Sequence, residues 1–366
     1  MIESIFDKVK QELLPPDDER MLKIALSANP SQEELDDFLS GWDIEKAGSH
    51  RALMLSYCMK AHPELKFPGY TGPRLNGLLR YYQFQNLRLM SEFHKIGSAL
   101  LAEGIDFLTF KGGALRHLRP ELPRIMGDID ILVQEDRFAD AIRMVRRMGY
   151  VCNVDRHSVD LHYKGSEQGI LDIHRYYYMN TGKERTINNS LFYRSERREI
   201  FGVKCLLPSN EDLLFISLVN MVRNIADYNS SEGIPYTLFD TQYLIQSADS
   251  FNWQIVYENG LATGTLTHLR FAAHFINNIF PDLIPEQLFS TFSTDKELDN
   301  LCYVIAFNRY YMHPRQIRSH ELSVEAVMKD KKLIKDFLKV RPLYTFLKLF
   351  RTNPTAARLL LRNYDY

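Results

Sequence analysis

FLTFKGGALRHLRPELPRIMGDIDILV, residues 107–133, is the stretch on which the fold turns. Positions 107–110 are apolar and aromatic around one threonine, as a short buried strand requires. Lys111-Gly112-Gly113 interrupts them and reads as a turn, and 114–118 as a short helix. Positions 127–133 then alternate polar and apolar residues, the period of a strand with one buried face.

Downstream, 136–148 has helical amphipathicity, and Gly149 is placed to end that helix. Strand-like runs follow at 150–154, 159–163, 169–174 and 203–207. Upstream, Leu75, Leu78, Leu79, Tyr82, Leu89, Met90, Phe93, Ile96 and Leu100 recur at helical spacing, which predicts one long helix buried along one face. Further upstream, Ser31 and Glu34 form a capping box behind Pro30. Beyond Pro208 the helical texture returns. Ser209 to Asp212 is a helix start, and helical patterns lie at 236–248, 253–261, 264–279, 295–312 and 321–350. The chain is therefore expected to be α+β. A small mixed-sheet domain at 96–208 is flanked by an N-terminal helical region at 1–95 and a C-terminal one at 209–366.

The charges nearly cancel over the 366 residues: 45 Lys+Arg against 46 Asp+Glu, with 45% apolar residues. That excludes a disordered chain, and it argues against long nucleic acid as a partner. The balance conceals opposites. Residues 1–40 hold ten acidic against four basic residues, and 329–366 hold ten basic against three acidic. A docked helix with its basic residues outward is the favoured reading of that tail, ahead of contact with an anionic membrane surface. Four scattered cysteines, no signal-peptide core and no long apolar span point to a soluble, cytoplasmic protein.

Three features of the middle section converge on chemistry. The glycines at 112 and 113 let backbone approach a ligand, and the next helix start favours phosphate. Asp128 and Asp130 lie two apart on a strand, so their carboxylates share a face. Such a pair repels unless a cation intervenes, and hard oxygen ligands suit Mg²⁺. Asp172, in Gly169-Ile-Leu-Asp-Ile-His174, repeats the apolar-Asp-apolar setting and completes a three-carboxylate cluster if its strand lies beside the first.

These residues resemble the nucleotidyltransferase superfamily that includes DNA polymerase β. More closely, they resemble a broad bacterial family of uncharacterised nucleotidyltransferases. Its Lys-Gly pair, its Arg before Asp-Ile-Asp, its later Asp-x-His strand and its helical C-terminal half map to Lys111-Gly112, Arg124, Asp128/Asp130, Asp172/His174 and the Leu238–Leu244 helix. The likeness extends over about residues 90–290. It implies transfer of an NMP group from an NTP, with ATP expected, to an acceptor hydroxyl. Two Mg²⁺ (or Mn²⁺) ions would sit among Asp128, Asp130 and Asp172, and Asp172 would help deprotonate the acceptor. Gly112 and Gly113 would cradle phosphates, Lys111 and Arg124 would neutralise the leaving pyrophosphate, and His174 would border the nucleotide. Taken alone, His174 reads rather as a hydrogen-bonded structural histidine. The acceptor, small molecule or macromolecule, is not legible in the sequence.

Two rivals belong to other classes. One is an inactive module of the same fold that binds a nucleotide or a protein. The other is a zinc hydrolase using His157, His162, Asp172 and His174, whose spacing matches no common zinc pattern. A P-loop or Rossmann enzyme is disfavoured by the absence of its glycine signatures.

Overall fold

The alternation at 127–133 and 169–174 becomes two neighbouring strands at the centre of one sheet. In the computed structural model, which describes residues 4–312 apart from 28, 47, 156, 167, 179–182, 229 and 291–294, the chain opens with five helices. These are α1 (Ile5–Leu13), α2 (Pro16–Leu26), α3 (Gln32–Gly41), α4 (Ser49–Ala61) and α5 (Thr71–Ala102). The middle section runs β1 (Phe107–Thr109), α6 (Lys111–Leu118), β2 (Ile129–Val133), α7 (Phe138–Arg147), β3 (Val151–Val154), β4 (Ser158–His162), β5 (Gly169–His174), α8 (Glu184–Arg194), β6 (Glu196–Ile200) and β7 (Val203–Leu207). Helices α9 (Asn210–Tyr228), α10 (Ile234–Gln246), α11 (Trp253–Thr263), α12 (Leu266–Asn277), α13 (Gln287–Ser290) and α14 (Asp295–Met312) follow. The protein is α+β, with helices on both sides of the sheet segment in the chain. The helix expected at 321–350 and the basic tail lie outside the described residues.

The contacts group the chain into two compact units. One comprises Pro16–Leu218 with Glu232–Thr265, and the other Met1–Pro15, Val219–Ser231 and Leu266–Tyr366. The first holds the seven-stranded mixed sheet, in the order β3-β4-β5-β2-β1-β7-β6. β2 pairs antiparallel with β1 and parallel with β5, and every residue of β1 and β2 is buried. Helix α5 lies on the sheet through Leu89, Phe93, Ile96 and Leu100. At Gly97 a Cβ would stand 2.9 Å from the Phe107 ring and 3.2 Å from Val203, so glycine is what lets the helix come down on the sheet. α7 buries Phe138, Ala141, Met144 and Val145, and Gly149 ends it at φ +91°. In the second unit, Phe6 of α1 packs edge-on against Phe271 and His274 of α12. No described helix is long and apolar enough to cross a membrane.

Two local expectations change. Lys111-Gly112-Gly113 is the first turn of α6 rather than a turn before it. Asp128 stands one residue ahead of β2, outside its ladder.

Candidate functional site

The register of three strands builds the site. Asp130 of β2 faces Asp172 of the parallel β5, and Asp172 faces Asp160 of the antiparallel β4. Residues directly opposite share a face, so three carboxylates form one row across the sheet. The side chain of Asp128 rises beside it: its Cβ is 3.8 Å, and Asp160 Oδ1 3.1 Å, from where a Cβ on Gly169 would stand.

Two cationic groups enter the row. Lys111 Nζ donates to Asp130 Oδ1 at 2.5 Å. His174 Nε2 lies 2.9 Å from the same oxygen and 3.0 Å from Asp172 Oδ2. Burial raises the pKa of Asp130, but the Lys111 ammonium and His174 outweigh it and hold the carboxyl below its ordinary range. Asp172 follows the same pattern, held down by its bond to His174. His174 is in turn raised: burial and Lys111 oppose its charge, and the bonds to Asp130 and Asp172 prevail. Asp128 accepts no hydrogen bond from a described residue. Burial, and next the charge of Asp130, push it up to about 7. At Asp128 burial leads and the charge of Asp130 adds to it, while at Asp130 protein cations offset the repulsion.

Capacity to bind is left over. Asp172 Oδ1 and Asp160 Oδ1 are buried with no hydrogen-bond partner among the described residues. Ligand atoms of Asp130, Asp172 and His174 lie within 4.8 Å of one another, a spacing that could hold a metal ion, and Asp128 stands outside that group.

The two glycines differ in what requires them. A Cβ at Gly113 would stand 2.8 Å from Ile129 Cγ2 and 3.0 Å from Thr109 Oγ1, so this glycine lets α6 pack on β1 and β2. At Gly112 the nearest atoms are Met126 Cγ at 3.9 Å and Arg124 Cδ at 4.0 Å, which leaves room for a side chain. No side chain caps α6, so no side-chain acceptor takes the N–H groups of its first turn.

A family model described as uncharacterised nucleotidyltransferase matches residues 49–281. The chain belongs to that nucleotidyltransferase family. No curated protein matches the chain.

In this family member Arg124, expected at the leaving pyrophosphate, is engaged within the protein. Its Nη2 donates to both carboxylate oxygens of Asp240, at 2.5 and 2.6 Å, and its guanidinium stacks on the Tyr236 ring at 4.8 Å. The guanidinium is thereby turned to α10, where it ties down the segment leading into Asp128. Tyr236 Oη accepts from the Ile125 N–H, and Arg119 donates to the Phe239 carbonyl, at further points of the same contact. Asp160 is the residue the sequence reading passed over. Its signal was present, since Val159-Asp160-Leu161 repeats the apolar-Asp-apolar setting of Asp130 and Asp172. Of the zinc-hydrolase set, His162 is held by Asp160 at 2.8 Å, and the His157 ring lies 5.8 Å from that of His174.

Proposed function

We propose that this nucleotidyltransferase is an active, cytoplasmic, metal-dependent enzyme of the DNA polymerase β-like superfamily. It transfers an NMP group from an NTP, with ATP the expected donor, to a hydroxyl of a small-molecule or macromolecular acceptor. The observation that carries this reading is the in-register row of Asp130, Asp172 and Asp160, with buried oxygens left unpartnered. An acidic row on a central sheet with orphaned oxygens is costly unless a cation completes it. The donors fit a hard divalent ion, Mg²⁺ or Mn²⁺, held by Asp130 and Asp172 with His174 and Asp128 beside them. When bound, such an ion supplies charge for the triphosphate and lowers the pKa of the attacking hydroxyl.

The chain's own residues do the rest. The uncapped first turn of α6, with Gly112 open to close approach, receives phosphate oxygens through backbone N–H groups. The acceptor oxygen attacks the α-phosphorus, and the bond to the leaving pyrophosphate breaks. The proton passes to a carboxylate of the row, where Asp172 Oδ1 is an oxygen that no described group occupies. Asp240, through Arg124, fixes the segment that delivers Asp128. Near-neutral overall charge argues against long nucleic acid as the acceptor.

The rival reading is an inactive nucleotide-binding module. It draws on the Lys111 and His174 pairs, which offset part of the negative charge of the row without an ion. Label transfer from α-labelled NTPs to small alcohols, tRNA and lysate protein, run with pyrophosphate release, separates the two. Metal-dependent transfer by the wild type, lost in D128N/D130N with the melting curve unchanged, is the expected result. Nucleotide binding without turnover across the panel, or full turnover by the double variant, overturns the reading.

A further inference from the structure

We infer that Lys111 serves as a built-in second cation of this site, so that the chain takes one divalent ion rather than the two its carboxylates suggest. The inference rests on the metal-dependent reading above and specifies its stoichiometry.

The backbone is set for this role. Lys111 adopts φ +49°, one of three non-glycine residues at positive φ among those described. The other two, Phe201 and Asp282, occupy turns. Lys111 instead starts a helix directly after a central strand, where a left-handed residue is disfavoured by its Cβ. A glycine would take this conformation without cost, and glycines follow at 112 and 113. Among the described residues, it is this position whose ammonium bonds a carboxylate of the row. Such strain persists where surrounding structure over-determines it, and here the side chain ends on Asp130.

The acceptors are divided accordingly. Asp130 Oδ1 receives both Lys111 Nζ at 2.5 Å and His174 Nε2 at 2.9 Å, which uses both lone pairs of that oxygen. A second divalent ion on that oxygen would meet the ammonium at close range and be repelled, while the ion shared with Asp172 is left the other oxygen of Asp130. The oxygens left without partners belong to the neighbouring strands, Asp172 Oδ1 and Asp160 Oδ1. Asp128, which also accepts no hydrogen bond, converges with Asp160 beside Gly169. The row thus has one oxygen taken by protein cations, Asp130 Oδ1, and the rest open to a single ion. Lys111 is a flexible four-carbon chain with a compact charge, suited to following Asp130 when nucleotide arrives.

The test is electron paramagnetic resonance of the full chain with Mn²⁺ and a non-hydrolysable ATP analogue, where neighbouring ions report themselves by spin coupling. The wild type is expected to give an uncoupled spectrum of one protein-bound Mn²⁺, and K111R to match it. K111M, which opens Asp130 Oδ1, is expected to give a coupled pair. A coupled pair in the wild type, or a single ion in folded K111M, overturns the role of Lys111 and leaves metal dependence standing. No Mn²⁺ beyond that held by the free analogue overturns both. Should K111M fail to fold, the wild-type spectrum alone decides.

Discussion

Arg124–Asp240 and Lys111–Asp130 are cation–carboxylate pairs within the same unit, yet they are completed differently. In the first, both Asp240 oxygens take the guanidinium, an aromatic ring covers it, and the side chains are 8% and 1% exposed. Asn86 donates to the Arg124 carbonyl at 2.7 Å, and Tyr243 to that of Leu118 at 3.2 Å, so the surrounding backbone is also held. In the second, the Lys111 side chain is 26% exposed, one oxygen serves two donors, and the next carboxylate along the row keeps an orphaned buried oxygen. A fully satisfied polar network rigidifies its surroundings. A partly satisfied one retains the capacity to bind something else. The difference separates a pair that fixes the segment before Asp128 from a pair that leaves room to bind.

The largest expected effect breaks the closed pair. D240A leaves a buried guanidinium without its partner and should cost about 3–5 kcal/mol, read by chemical denaturation. The glycines test how closely the open pair is framed. G113A drives a methyl into Ile129 and Thr109 and should cost about 1–3 kcal/mol. G112A meets open space and should stabilise α6 by up to about 1 kcal/mol while raising the KM for NTP. If the two glycine variants melt alike, the close approach at Gly113 is not what selects that glycine.

Smaller again is the expected stability change in D130N, within about 1 kcal/mol, because the partly exposed Lys111 can turn to water. The same variant should lose Mn²⁺ affinity at least about tenfold in titration calorimetry, since charge-bearing oxygen is what a hard ion requires. A D130N penalty equal to that of D240A would erase the contrast between the pairs.

The smallest effect is a pH dependence that loads the closed pair from one side. The His50 ring lies 5.4 Å from that of Tyr236, beneath Arg124. Burial lowers the pKa of His50 against the opposing pull of Glu232. Burial, and then the charge of Arg198, lower that of His117. Both histidines therefore bind protons less readily folded than unfolded. Their contribution is complete above the unfolded value of about 6.5 and is lost as pH falls below it. Asp128 and His174, whose folded values are raised, act in the opposite sense over the same window, so the contribution of His50 and His117 is read as a difference: between about pH 7.5 and 5.5, denaturation of H50Q/H117Q should shift in the stabilising direction relative to the wild type.

Local signals were read where local physics sufficed. The Ser31–Glu34 capping box forms as expected, because both partners lie within one turn. β5 has the limits its alternation suggests, and Gly149 ends α7, because period and left-handed freedom are properties of a few residues. β6 was not legible. Its sequence, ERREI, is charged and mostly exposed, and pairing with β7 is what makes it a strand. α8 has little amphipathic contrast, and only Ile187, Asn188 and Leu191 are buried. At the site, Asp128, Asp130 and Asp172 stood out by type and spacing. Asp160 gained meaning only once β4 lay beside β5, and Arg124 only once α10 presented Asp240.

The sequence by itself determined that a strand, a glycine-bearing helix start and alternating aspartates occur in this order, because periodicity and residue chemistry are local. It also determined that unscreened carboxylates on one face need positive charge. Which cations supply that charge was decided by the tertiary structure alone. Strand register, the left-handed turn at Lys111 and the approach of α10 bring together opposite charges as far as 116 positions apart, and Coulomb attraction acts on distance in space rather than along the chain.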